Sequence, residues 1–84
     1  MKILVTPTAS GGKIVNQVGE FRVNNNYLLT GGYHSGKMLR LTYISYHKQV
    51  IIDGNRERQI SGELLGEEMP IRVNAVLSHL QKVN

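Results

Sequence analysis

The sequence predicts a small, mostly β protein (a β-rich α+β fold), with an antiparallel sheet or barrel of five to six short strands and one C-terminal helix. Three observations favour this fold class. Nine glycines punctuate the chain, and most of them fall between apolar runs of strand length. The longest run alternates apolar and polar residues with a period of two, as half-buried strands do. The 84 residues suffice for one small domain, residues 1–84, with a thin core.

Six strands are predicted, and the segments between them carry turn residues. The strands cover residues 3–6, 13–23, 27–30, 38–46, 49–52 and 56–65. Gly19 is expected to mark a bulge inside the second strand, because glycine in a strand interior often does. The asparagine triplet at 24–26 is expected to turn the chain before the third strand, since asparagine tolerates left-handed backbone.

The strongest strand prediction covers residues 38–46. Its alternation assigns Leu39, Leu41 and Tyr43 to the core, and the residues between them to the outer face. After it, the Asp-Gly pair at 53–54 separates two extended runs. Asp-Gly in this setting favours a tight two-residue hairpin turn.

Residues 70–82 fit two patterns. Val73, Val76, Leu77, Leu80 and Val83 recur at helical spacing, and Pro70 suits a first helical position. The same segment also alternates from Ile71 with a period of two, which would suit a strand. We favour a C-terminal helix of about 12 residues, because Val76, Leu77 and Leu80 fit no simple alternation.

Two stretches resemble small SH3- or Sm-type barrel modules of bacterial regulators. They are residues 37–45, KMLRLTYIS, and residues 58–62, RQISG. The resemblance covers about a third of the chain and contains no diagnostic motif. It implies a small barrel fold, and a shared fold says little about function.

Composition excludes several kinds of site. The chain has no cysteine, hence no disulfide, no thiolate metal site and no cysteine nucleophile. The three histidines lack the spacing of a metal site, so we predict no metal and no cofactor. No apolar run approaches the length of a secretory signal or a membrane span. We therefore expect a soluble, cytoplasmic protein that does not bind membranes.

The charges are distributed unevenly. Residues 1–50 contain six lysines and arginines against one glutamate, whereas residues 51–84 contain four basic and five acidic residues. All five aromatic residues also lie in the first fifty. Cations mixed with flat rings suit a polyanion with stacked bases, so nucleic acid is the predicted partner.

The candidate nucleic-acid-binding residues come from four separate segments. Five cations are assigned to phosphates, and two rings are assigned to base stacking. These residues are Lys13, Arg22, Lys37, Arg40 and Lys48, with Tyr33 and Tyr46. The competing interpretation is that Tyr27 and Tyr43 belong to the core, that Tyr46 is half-buried, and that the cations are ordinary solubilising surface.

Residues 31–37, GGYHSGK, match the first seven positions of a phosphate-binding P-loop. The eighth position requires Ser or Thr to bind magnesium, and Met38 stands there. A P-loop also opens a helix, whereas the residues that follow here alternate like a strand. We therefore interpret this segment as a glycine-rich connection between strands.

Two other functions stay open at this stage. A protein–protein module, such as an inhibitor, an accessory factor or a self-assembling subunit, would explain how a thin core is stabilised, since a partner covers apolar surface. A small ribonuclease would use His34 or His47 as acid or base, with Lys37 or Arg40 stabilising the transition state. Neither function has a diagnostic motif, and we expect a non-enzymatic protein.

Overall fold

The glycine-punctuated chain folds mostly into strands. The computed structural model describes residues 2–83, and within them it contains eight strands and one short 3-10 helix. The strands are β1 (Ile3–Pro7), β2 (Lys13–Val18), β3 (Phe21–Arg22), β4 (Asn26–Leu29), β5 (Met38–Ile52), β6 (Asn55–Leu64), β7 (Ile71–Val76) and β8 (Leu80–Gln81), and the 3-10 helix covers Leu77–His79. The predicted mostly β class is confirmed.

The strands form two antiparallel sheets. One has the order β1-β2-β3, and the other has the order β7-β6-β5-β4-β8. Val15 and Val18 of β2 belong to the same buried cluster as Leu39, Leu41 and Ile44 of β5. The two sheets therefore share one apolar core, and β2 packs against β5.

The hairpin between β5 and β6 follows the sequence prediction. Asp53 and Gly54 have φ angles of 52° and 81°, and they connect the paired residues Ile52 and Asn55. Two consecutive left-handed residues form a type I′ turn, whose twist matches that of the strands it joins. β5 is longer than expected, because the runs predicted as two separate strands form one continuous strand.

The predicted strand over residues 13–23 is instead a hairpin. Gly19, at φ 58°, lies in a turn between β2 and β3, and Val18 pairs with Phe21. The alternation already fails within β2, where Val15 and Val18 are buried and the register with β1 shifts between them. The hydroxyl of the buried Tyr27 side chain accepts the Arg22 N–H at 2.7 Å and so holds β3 in place.

The predicted C-terminal helix is wrong. Residues 71–76 form β7, the 3-10 helix follows for a single turn, and β8 returns to pair with β4. Val76, Leu77 and Leu80 are buried, as their helical spacing implied, whereas Val73 is half-buried and Val83 is 50 % exposed. That spacing arises because a strand end, a 3-10 turn and a second strand place these three side chains in the core.

Of the two predicted architectures, an antiparallel sheet or a small barrel, the closed barrel is not formed. The five-stranded sheet ends at β7 on one side and at β8 on the other, and within residues 2–83 no pairing joins these two strands. β1 likewise has one paired and one unpaired edge. The molecule therefore keeps open sheet edges, which closure of a barrel would have removed.

Candidate functional site

The most unusual feature of the large sheet is a wide bulge in β5. The register is regular at the pair Ile44–Ile60 and resumes at the pair Gln49–Arg58. Between these pairs β6 contributes only Gln59, whereas β5 contributes the four residues Ser45–Lys48. We call this segment the β5 bulge. Bulges redirect side chains and are frequent beside functional sites.

Two side chains hold the β5 bulge in shape. The Arg58 guanidinium donates hydrogen bonds to the carbonyl oxygens of Ser45 and Tyr46, both at 2.8 Å. The buried Ser45 hydroxyl accepts the Lys48 N–H at 2.7 Å. Backbone groups of the bulge that cannot hydrogen-bond to β6 thus form hydrogen bonds with nearby side chains, because buried backbone polar groups need a partner. The bulge is a defined structure that presents Tyr46, His47 and Lys48.

A groove of about 400 Å³ lies between the β5 bulge and the turn before β2. We call it the bulge groove. Its walls include Gly11, Gly12 and Lys13 on one side and residues 43–48 on the other. The Lys13 ammonium lies 4.9 Å from the centre of the Tyr46 ring, within cation–π range. Among residues 2–83, no carboxylate lies within ion-pairing distance of Lys13 or Lys48.

The rings of this groove differ in how accessible they are. Tyr46 is half-buried, with the Lys13 ammonium above its ring and the His47 ring edge-on at 4.5 Å. Tyr43, by contrast, is 54 % exposed and lines the groove. Its predicted place in the core is wrong. The register shifts between Leu41 and Tyr43, so the alternation changes phase and Ile44 takes the buried position.

Two of the predicted cations are paired with acids. Lys37 lies 2.6 Å from a Glu67 carboxylate oxygen, and Arg40 lies 3.0 Å from one of Glu63. The hydrogen bond and the positive charge of Lys37 lower the pKa of Glu67 below its ordinary value. Such exposed pairs contribute little to stability. Because Glu67 and Glu63 neutralise part of their charge, Lys37 and Arg40 attract a phosphate less strongly than the number of basic residues in the sequence suggests.

The remaining predicted residues lie elsewhere. Arg22 lines a separate polar groove together with Glu20 and Lys82. Tyr33 is 97 % exposed, and its ring meets that of His34 edge-on at 4.9 Å. The structure therefore brings together three of the seven predicted residues in the bulge groove. They are Lys13, Tyr46 and Lys48.

Sequence reasoning missed Tyr43 and Arg58 as site residues, and it named His47 only as a candidate of a ribonuclease. Tyr43 and His47 line the groove, and Arg58 shapes it. One signal was present in the sequence. Gly62 pairs with Leu41 beside the first bulge, and a glycine inside a strand often marks a bulge or a close backbone contact. The second bulge has no comparable signal, because Arg58 in an exposed strand resembles any surface cation.

The histidines considered for a ribonuclease lie in different places. His47 belongs to the bulge groove, and His34 lines another groove. Among residues 2–83 no cluster of three or more His, Cys, Asp or Glu side chains could bind a metal ion. The same residues contain no helix long and apolar enough to cross a membrane.

Comparisons of the chain with protein-family models, with curated protein sequences and with solved structures found no significant match.

Proposed function

We propose that this protein is a small non-enzymatic nucleic-acid-binding protein and that the bulge groove contacts the polynucleotide. The observation that supports the proposal is the convergence of Lys13 and Lys48, from distant parts of the chain, on one groove. Among the described residues neither lysine has a carboxylate partner. Two free ammonium groups in one concave surface suit successive phosphates of a strand.

The surroundings of the two lysines suit the other parts of a nucleotide. The exposed Tyr43 ring offers a face on which a base can stack. The Gly11-Gly12 turn lets a sugar-phosphate backbone approach closely, because no side chain projects there. The Tyr46 ring already carries Lys13, so its role in this proposal is to position that lysine rather than to stack on a base.

Binding is tested by fluorescence anisotropy with labelled single- and double-stranded oligonucleotides at several salt concentrations. Affinity for the single strand is expected to fall as salt rises, because phosphate contacts release counterions. Lys13→Gln and Lys48→Gln should each weaken binding. Each should also reduce the slope of log affinity against log salt by roughly 0.7 to 1, the contribution of one phosphate contact.

Lys82→Gln is the matched control, since it removes the same charge from an exposed lysine in a different groove. Its salt slope should equal that of the wild type. If Lys82→Gln weakens binding as much as Lys13→Gln, net charge rather than the bulge groove governs the interaction. If the wild-type protein binds no oligonucleotide at low salt, the proposed function is wrong.

A self-associating protein–protein module is the second candidate, and β1 favours it. All five residues of β1 are exposed, and its apolar residues Ile3, Leu4 and Val5 are 36 %, 41 % and 37 % exposed. Ile14 on the neighbouring strand adds a further apolar side chain that is 55 % exposed. An apolar strand with a free edge is a site where a second copy can add a strand.

A further inference from the structure

The β5 bulge adds a third basic side chain to the bulge groove. His47 lines the groove together with Lys13 and Lys48, and the residue is exposed. Its ring centre lies 4.5 Å from that of Tyr46, and the Lys13 ammonium lies 4.9 Å from the same Tyr46 ring centre. His47 and Lys13 therefore lie within one Debye length of each other, about 10 Å at 0.1 M salt. An anion in the groove experiences both groups.

The surroundings of His47 contain cations and neutral rings. No aspartate or glutamate of residues 2–83 lines the groove, and in the same part of the chain no carboxylate lies within ion-pairing distance of the ring. The charged and titratable groups around the ring come from three strands. They are Lys13 at the start of β2, Tyr43, Tyr46 and Lys48 of β5, and Arg58 of β6, whose guanidinium binds the Tyr46 carbonyl oxygen. A protonated His47 ring therefore has no counter-ion in the described part of the protein.

A histidine differs from the two lysines of this groove in how its charge depends on pH. An unperturbed imidazole exchanges its proton between about pH 5 and 8, whereas an ammonium group stays charged throughout this range. The protonated ring attracts a phosphate and donates a charge-assisted hydrogen bond to it, and the neutral ring supplies no charge. The bulge groove therefore gains one positive charge as the pH falls.

We propose that His47 is a proton-dependent phosphate contact of the bulge groove, and that binding of a single-stranded polynucleotide takes up a proton at this ring. This inference rests on the proposed function. Where the free ring is partly neutral, an entering phosphate favours the charged form, because an opposite charge stabilises it. Linkage then fixes the direction of the effect. The complex binds more protons than the free protein, so affinity rises as the pH falls.

The test measures the anisotropy of labelled oligothymidylate at about pH 5.5 and about pH 7.5, at constant ionic strength. Thymine bases and phosphodiesters keep their charge over this range, so only the protein titrates. Wild-type affinity should be about twofold to fivefold higher at the lower pH, the range for one additional exposed ion pair. The slope of log affinity against log salt should also be steeper there, by up to about 0.7, the contribution of one phosphate of a single strand.

Three variants identify the titrating group. His47→Gln carries no charge at either pH, so it should bind with equal affinity at both. His47→Lys is charged at both, so it should bind at the higher pH about as tightly as the wild type does at the lower pH. His34→Gln is the matched control, because it removes a histidine of a different groove, and it should keep the wild-type pH dependence. Position 47 is exposed, and thermal midpoints at both pH values verify that each variant is folded.

Calorimetry in two buffers of different ionisation enthalpy counts the protons directly. At about pH 6.5 the wild type should take up a fraction of one proton per bound strand, and His47→Gln should take up none. If the wild type binds equally well at both pH values, or if His47→Gln keeps the wild-type pH dependence, the proton-dependent contact is overturned while binding at the bulge groove stands. If wild-type protein binds no strand at either pH, the proposed function itself fails.

Discussion

At the scale of the residue, Gly62 is the position that allows β5 to shift its register. That shift exposes Tyr43. Gly62 is buried and pairs with Leu41, immediately before the register shift that turns Tyr43 outward. A Cβ at position 62 would meet the Arg40 carbonyl oxygen and the Leu39 side chain. Only a residue without a side chain permits so close an approach of β6 to β5.

Gly62→Ala is expected to destabilise the protein by about 1–3 kcal/mol, because the new methyl group collides with backbone as well as with a core leucine. The urea denaturation midpoint measures this change. Gly12→Ala is the matched control. There an added Cβ meets only the Thr8 hydroxyl, at 3.2 Å, in an exposed turn, so the change should stay within about 0.5 kcal/mol. Equal midpoints for the two variants would contradict the role assigned to Gly62.

Other residues show what the alternation could and could not predict. Leu39 and Leu41 are buried as expected, since the pattern holds up to the first bulge. Beyond it the pattern fails for Tyr43, because one extra residue reverses every later assignment. The ion pair of Lys37 with Glu67 could not be predicted from the sequence, since it joins an exposed loop to a residue thirty positions away.

At the scale of the element, the β5 bulge depends on a side chain from the opposite strand. Arg58 binds two bulge carbonyls, Ser45 binds a third backbone group, and the lysine and aromatic side chains of the groove follow from that geometry. Both hydrogen bonds come from one guanidinium nitrogen, Nη1, which donates to two adjacent carbonyl oxygens. The affinity of the groove should therefore respond to Arg58 even without direct contact with the ligand.

Arg58→Met keeps the aliphatic part of the side chain and leaves the two carbonyl groups without their donor. We expect a loss of stability of about 1–3 kcal/mol. Amide hydrogen exchange should accelerate in residues 45–48 and much less in residues 61–64. Arg58→Lys keeps the charge and is the control for electrostatics. Faster exchange at 45–48 in both variants supports a positioning role, whereas unchanged exchange in Arg58→Met contradicts it.

The C-terminal elements show a different limit of sequence reasoning. Val76, Leu77 and Leu80 were assigned correctly to the core, yet the element type was not. Helical spacing over so short a segment also arises where a strand ends in a 3-10 turn. Strand pairing decides against a helix, because β7 pairs with β6 through six residue pairs and β8 pairs with β4. β6 is the strand next to β7 in the sequence, but β4, the partner of β8, is far from it along the chain.

At the scale of the whole molecule, the two halves of the chain partly neutralise each other. Both described ion pairs join a cation of the first half, Lys37 or Arg40, to an acid of the second half. Strand pairing causes this, since Arg40 and Glu63 are cross-strand partners in β5 and β6. The free positive charge of the first half is therefore smaller than the sequence suggests, and Lys13 and Lys48 of the bulge groove are among the cations that form no ion pair within residues 2–83.

The open edge of β1 gives the last prediction. If β1 pairs with a second copy, light scattering should show a mass that rises with protein concentration. Val5→Lys should restore the monomer mass, because a charged residue on an edge strand opposes pairing. Ile51→Lys is the control, since it places the same charge on an apolar residue that is 73 % exposed at the far hairpin. It should associate like the wild type. A wild-type monomer at all concentrations excludes the self-associating module. A Val5→Lys protein that still associates places the interface elsewhere.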